Sequence, residues 1–273
     1  MLVELRSEDF SHVRPLLGEI SYNLVVPSIL EGNTLGKLFV SNEEKPDSVI
    51  VWNCGDTVLI GGDPGEGYRE EHSEFLKEKL IPSAKARGIP VLNFYSTRKA
   101  KSFLKHLLDS LEPRPVLRYL FRSTLSSPAL ISDTSEDTQT KRITREILEG
   151  DFRNIDRLKG WILSFWPDLE TFLDKSMGTC LTRDNQIVSW CIGVYRSANS
   201  VELGVETVIG FRRMGYAKRV VRAAAEESHF MGLTVDWQCD ASNNPSVTIA
   251  RSLRFQEVLQ YTISQIELRK QRE

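Results

Sequence analysis

The stretch from Val201 to Ala217 constrains this chain more than any other. Val201-Glu-Leu-Gly-Val-Glu-Thr-Val208 is rich in β-branched residues and reads as a strand. Phe211-Arg-Arg-Met-Gly-Tyr-Ala217 follows, with Arg212, Gly215 and Ala217 at the spacing R-x-x-G-x-A ahead of a long amphipathic segment. A strand that turns through small residues into a helix start leaves unpaired N–H groups pointing outward, and lets a ligand approach the backbone closely. That is a phosphate-binding geometry. It points to a pyrophosphate-bearing cofactor and, through it, to an enzyme.

The flanks extend the pattern. Ala217 to Met231 places Ala217, Val220, Val221, Ala224 and Ala225 on one helical face, and Gly232 closes the helix. Thr234 to Cys239 reads as a strand, Pro245 to Leu253 as a helix and Phe255 to Leu268 as a terminal β-pair. Upstream, Thr140 to Leu148 and Phe152 to Phe165 read as helices, the second with Phe152, Ile155, Leu158, Ile162 and Phe165 on one stripe until Trp166-Pro167 ends it. Leu169 to Leu173 is a short helix, and Thr179 to Thr182 and Ile187 to Tyr195 are strands joined at Asp184-Asn185. The order α-α-β-β-β-α-β-α-β-β predicts an α/β fold, a mixed central sheet with flanking helices. In such sheets ligands bind at the loop after a central strand.

Ser126 to Thr140, rich in Ser, Thr and Asp and broken by Pro128, has a linker composition. It sets the expected division: an N-terminal α/β domain over 1–125, a linker over 126–140 and a second domain over 141–273. In the first domain, Ser48 to Trp52 and Thr57 to Ile60 flank Asn53-Cys-Gly-Asp56 as a hairpin. Tyr68 to Ala86 is a helix with Phe75, Leu76, Leu80 and Ala84 inward, Pro90 to Tyr95 a strand, Thr97 the cap of a helix burying Phe103, Leu104, Leu107 and Leu108, and Val116 to Phe121 a strand. This order, β-β-α-β-α-β, repeats the one around Val201 to Ala217. It places Gly61 to Gly67 where the phosphate turn falls and Thr97 where Asn243 falls. Residues 1–125 therefore read as a degenerate copy of the same fold, the alternative being an unrelated α/β cap.

Composition narrows the classes. Hydrophobic residues make up 41% and charged residues 26%, enough to bury a substantial core, and a net charge of −2 gives no basic surface for nucleic acid. No apolar run is long enough for a membrane span, and Met-Leu-Val-Glu-Leu-Arg has no signal-peptide pattern. Cys54, Cys180, Cys191 and Cys239 are scattered, and His12, His72, His106 and His229 have no partner at metal-ligand spacing. The expectation is a cytoplasmic protein with free thiols and no metal; no oligomeric state is assigned. Gly61 to Gly67 lacks the Lys-Ser/Thr of a nucleotide loop and reads as a turn. Lys99, Lys101 and Lys105 read as a solvated face. Trp161, Trp166, Trp190 and Trp237 are core candidates, with Trp190 or Trp237 also able to line an acceptor pocket.

Together these motifs resemble the GNAT superfamily of acyl-CoA-dependent N-acetyltransferases, over roughly residues 140–268. Arg212-x-x-Gly215-x-Ala217 fits the superfamily's [QR]-x-x-G-x-[GA], and Asn243-Asn-Pro-Ser246 through Leu253-Arg-Phe255 is similar to its Asn and its helix ending in Leu-Gly-Phe, with Arg254 where Gly is usual. Phe165-Trp166, Ile187-Val-Ser-Trp-Cys191 and Trp237-Gln-Cys-Asp240 are similar to the zwittermicin-resistance-like branch.

The resemblance implies acetyl-CoA as co-substrate and a primary amine of a small molecule as acceptor, joined by direct attack. It implies that the strand edge near Thr207 and Val208 holds the pantetheine arm, that the backbone of Arg212, Arg213, Met214, Gly215, Tyr216 and Ala217 holds the pyrophosphate, and that Asn243 and Ser246 contribute to the cofactor site. An amide near Val208 would stabilise the oxyanion. Glu202 or Glu206 would be the general base, their even spacing placing both on one strand face. The position where relatives carry a Tyr acid is Ala250, leaving Tyr216, Tyr261 or solvent. A non-catalytic CoA-binding or interaction protein is the alternative, and a polypeptide acceptor a third, less favoured reading.

Overall fold

A computed structural model describes residues 2–63, 65, 69–123 and 138–268. The chain divides into two compact units, Met1–Leu117 with Tyr261–Glu273, and Arg118–Gln260. The first contributes β1 (Val3–Glu4), β2 (Lys37–Val40), β3 (Ser48–Trp52), β4 (Thr57–Gly62) and β5 (Val91–Ser96), with only β4 and β5 parallel. Its helices are α1 (Arg14–Leu17), α2 (Val25–Leu30), α3 (Arg69–Phe75), α4 (Ile81–Ala86) and α5 (Lys101–Leu108). The expected helix over 68–86 is present from Arg69, but a π turn over Leu76–Leu80 interrupts it, where the Ile81 N–H reaches the Leu76 carbonyl. Pro82 has no N–H and crowds the carbonyl four residues back, which the wider turn relieves. The apolar stripes predicted on α3, α4 and α5 are buried with Ile50, Val58, Ile60, Leu92 and Phe94.

The next strand, β6 (Arg114–Ser123), starts in the first unit and pairs in the second. There β7 (Gln139–Arg142), β8 (Gly178–Arg183), β9 (Gln186–Arg196), β10 (Ser200–Thr207) and β11 (Thr234–Asp240) follow in the order β7-β8-β9-β10-β11-β6, with only β10 and β11 parallel. The helices are α6 (Arg145–Glu149), α7 (Ile155–Leu163), α8 (Leu169–Lys175), α9 (Tyr216–Phe230) and α10 (Asn244–Ser252). One sheet face buries Val201, Leu203, Val235 and Trp237 against Val220, Val221, Ala224 and Ala225 of α9 and Val247 and Ala250 of α10. The final strand, β12 (Gln256–Glu267), starts in the second unit, and its Ser264 to Glu267 pair with Phe94 to Val91 of β5 in the first. Each half of the chain thus lends its last strand to the other unit.

The mixed α/β fold with flanking helices is the architecture expected. The division is not at 125 and 141, because β6 hydrogen-bonds β11 and the end of β12 hydrogen-bonds β5. Of the expected linker, 126–137 lie outside the described residues. Residues 140–142, expected to open a helix, form β7 together with Gln139 of the expected linker, because they pair with Thr179–Thr182 of β8. The second helix starts at Ile155, after Asn154 adopts φ of 70°. The expected terminal β-pair is one 12-residue strand. The glycines at the end of β4 are packing glycines: a Cβ on Gly61 would lie 2.5 Å from the Leu16 carbonyl oxygen, and one on Gly62 2.1 Å from that of Asp47.

Candidate functional site

β10 and β11 run parallel only from Ser200–Thr234 to Glu202–Asp236. Beyond that pair β10 continues to Thr207 along β9, while β11 continues to Asp240 along β6. The two strands therefore part, and Leu203 to Thr207 present a backbone edge that β11 does not cover. The Val208 N–H donates to the Val188 oxygen at 3.0 Å, and its carbonyl accepts from Phe211 N–H at 2.8 Å. The Val208 N–H is thereby committed to β9. Because successive amides point to opposite sides of a strand, those of Thr207 and Val205 face the open edge.

The chain leaves this edge through a 3₁₀ turn over Ile209–Phe211. Arg212 folds back, its Nε donating to the Thr207 carbonyl at 3.1 Å. Arg213 has φ of 66° and Gly215, the N-cap of α9, φ of 78° with no side-chain cap. The amides in the first turn of a helix have no carbonyl within it to bond, so those of Tyr216, Ala217 and Lys218 are directed outward by geometry. A Cβ on Gly215 would meet nothing within 4 Å. Among the described residues nothing crowds that position, and the left-handed backbone is what requires glycine. Exposed Met214 and Ile209 border it. The Tyr216 side chain is buried, its hydroxyl 3.4 Å from Arg183 Nη1, so this residue offers only its backbone.

Glu202 and Glu206 lie on the sheet face opposite α9. Glu202 is buried and its Oε2 accepts from Gln238 Nε2 at 2.7 Å. Across the last parallel pair, Asp236 is 1% exposed and receives a two-pronged contact from Arg122 of β6, Nε at 2.7 Å and Nη2 at 3.0 Å. Glu206 forms an ion pair with Arg157 of α7, whose guanidinium lies 5.8 Å above the Trp190 ring. Trp161 stands 6.2 Å from Trp190 and 5.3 Å from Phe165, which lies 5.7 Å from Tyr195. Gly204 lets this aromatic wall reach the strand: a Cβ there would lie 2.9 Å from Trp161 Cη2. Arg122, Asp236, Gln238 and Arg157 were not anticipated. The polar alternation of Asp236, Gln238 and Asp240 in a strand with a buried opposite face was the available signal.

Asn243 and Ser246 serve α10. Asn243 Oδ1 accepts from Ser246 N–H at 3.2 Å, capping the helix, and Ser246 Oγ accepts from Trp237 Nε1 at 3.0 Å. Ala250 is buried in the core. Tyr261 stacks near Tyr22 and Tyr95 in the first unit. Burial pushes the Cys180 thiol up to about 12 and raises Cys191 and Cys239, so these thiols are poor nucleophiles. His72 Nε2 lies 3.4 Å from Ser48 Oγ and His229 Nε2 2.9 Å from Ser123 Oγ.

The GNAT acetyltransferase family profile matches residues 14–264. The "Uncharacterized N-acetyltransferase YdfB" of Bacillus subtilis (strain 168) is 24% identical, over 96% of this chain and 98% of that protein. The crystal structure of a GCN5-related N-acetyltransferase-like protein from Streptococcus suis 89/1591 matches with a TM-score of 0.67 at 18% identity, over 96% of this chain and 99% of that one. A tandem GNAT protein from the clavulanic acid biosynthesis pathway, solved without AcCoA, matches at 0.53 and 10% identity over 100% and 99%. With a family profile that spans residues 14–264, the chain belongs to the GNAT acetyltransferase family.

Proposed function

We propose that this protein transfers an acetyl group from acetyl-CoA to a primary amine of a small molecule by direct attack in a ternary complex. The observation that carries this reading is the edge of β10 running into the Gly215 turn: five residues of strand that β11 does not cover, then a helix N-terminus with no side-chain cap among the described residues. Val205 and Thr207 would hold the pantetheine arm as an added strand. The backbone of Arg213 to Ala217, with Lys218, would hold the pyrophosphate. Arg212 and Arg213 add positive charge there. Such charge opposes the macrodipole when the site is empty of anions and is favourable beside one.

Acetyl-CoA supplies an electrophilic thioester carbonyl and a thiolate leaving group. The chain's part is to position the amine and take its proton. An ammonium has no lone pair, so a base must deprotonate it. Glu202 fits that role better than Glu206, because Glu202 sits where β10 and β11 part and Glu206 is paired with Arg157. Asn243 and Ser246 support the site by fixing the start of α10. With Ala250 in the core and Tyr216 tied to Arg183, leaving-group protonation falls to solvent.

The first unit repeats the strand and helix order of the second, and we read it as a degenerate copy. Its β4 stays paired with β5 through Ile60, and Gly61 and Gly62 beyond are both pressed against backbone carbonyls, while residues 64 and 66–68 lie outside the described residues. The narrower likeness to the zwittermicin-resistance-like branch rests on the Trp-bearing segments, and fits a small amine-bearing acceptor and a cytoplasmic setting.

Ala250 favours one rival, a CoA-binding protein without turnover. Calorimetry with acetyl-CoA followed by thiol release across an amine library separates the two. Binding with release supports the proposal, binding without release supports the rival, and no binding removes both.

A further inference from the structure

Arg157, Glu206 and Trp190 meet on the sheet face opposite α9. The guanidinium contacts the Glu206 carboxylate and lies 5.8 Å above the indole of Trp190, with Trp161 beside it. A carboxylate together with an aromatic face is the pairing that binds an organic ammonium. Arg157 is held there weakly. Its side chain is 43% exposed and that of Glu206 23%, and ion pairs this open contribute about 0–1 kcal/mol. Trp190 itself is fully buried, so an incoming ammonium reaches its face by displacing the Arg157 side chain.

We infer that Glu206, Trp190 and Trp161 make a subsite for a second cationic group of the acceptor, with Arg157 as its built-in competitor. The position follows from β10. Glu206 is four residues along the strand from Glu202, about 13 Å at 3.3 Å per residue. With the reacting amine at Glu202, the subsite selects diamines and other acceptors with a second positive charge on an apolar body, which Trp161 and Phe165 would cover. At Gly204, between the two carboxylates, Trp161 and Val194 press on the strand, so the indole of Trp161 would lie against the acceptor's body. This inference takes its meaning from the acetyl-transfer reading, but the cation site stands or falls by itself.

The test titrates the full-length protein, without CoA, with 1,6-diaminohexane, read by calorimetry and tryptophan fluorescence, with hexan-1-amine as the control. Wild type is expected to bind the diamine at least tenfold more tightly than the monoamine. Glu206→Gln should weaken the diamine at least tenfold. Arg157→Ala should tighten it at least fivefold, because the competitor is gone. A merely structural ion pair predicts the opposite sign or no change. Weaker or unchanged diamine binding by Arg157→Ala, or equal affinities for diamine and monoamine in wild type, overturns the inference. If Glu206→Gln fails to fold, the sign of the Arg157→Ala change decides. Acetyl-CoA is titrated into the same samples. Failure of wild type to bind the diamine, with acetyl-CoA binding intact, rejects the subsite alone, whereas diamine binding without acetyl-CoA binding rejects the transfer reading alone.

Discussion

Gly215 and Gly232 stand at opposite ends of α9 in the same backbone conformation, φ of 78° and 75°, and a Cβ on either would meet nothing within 4 Å. They form an internal control for the cofactor cradle. Alanine at either position meets only the left-handed strain of an L-residue, about 1–2 kcal/mol. For a chain of this size that lowers Tm by roughly 2–8 °C. The two alanine variants should therefore unfold within a degree or two of each other. Their ligand binding should not match. A tryptophan at 215 projects into the space before the first-turn amides, where two charge-assisted contacts to phosphate at about 1.5–3 kcal/mol each would be lost. Acetyl-CoA affinity should fall at least a hundredfold for Gly215→Trp and stay within threefold of wild type for Gly232→Trp. Thermal unfolding and calorimetry on the four variants decide it. Equal affinity losses at both ends, or wild-type affinity in Gly215→Trp, would refute the placement of the pyrophosphate.

Three further outcomes follow from the packing. Arg122→Ala leaves the buried Asp236 without its guanidinium and should cost about 2–4 kcal/mol in urea unfolding, with Arg122→Lys recovering part of it because lysine lacks the fork. A fragment of residues 138–273 lacks β6, and so the partner of β11 from Val235 to Asp240. It should show no cooperative melt by circular dichroism unless residues 1–123 are supplied with it. Burial lowers the His229 pKa below its usual 6.5, so the folded state disfavours the charged ring. The unfolded state then binds more protons, so this contribution is present above pH 6.5 and is lost as pH falls through the lowered value. His229→Gln should flatten that part of the stability–pH curve, measured by denaturant unfolding from pH 5 to 8.

Much of the site's backbone was legible because local rules dictate it. The R-x-x-G-x-A spacing required a turn with a left-handed glycine before a helix, and the helix starts one residue after Gly215. Asp184-Asn185, read as a strand-joining turn, has φ of 48° and 55°. What the sequence did not disclose depends on partners far away in the chain. Residues 139–142 carry no strand signal of their own and become β7 only beside Thr179–Thr182. The exchange of β6 and β12 is a matter of register between segments more than a hundred residues apart, to which hydrophobic periodicity is blind. For the same reason Val208 looked available from its place in the motif, while its amide was already committed to Val188. The ion pair between Arg157 and Glu206 joins a helix and a strand 49 residues apart, and no local pattern announces it.

The central claim is that this fold moves an acetyl group, using Glu202 as base on a cofactor held by β10 and the Gly215 turn. Thiol release from acetyl-CoA, measured with 1,6-diaminohexane for wild type and Glu202→Gln, tests it most directly. The account predicts amine-dependent release by wild type and a loss of 10²–10⁴-fold in kcat for Glu202→Gln, with acetyl-CoA affinity unchanged. Equal rates for the two proteins would contradict the role of Glu202. No release by wild type with any amine, despite tight acetyl-CoA binding, would contradict catalysis itself.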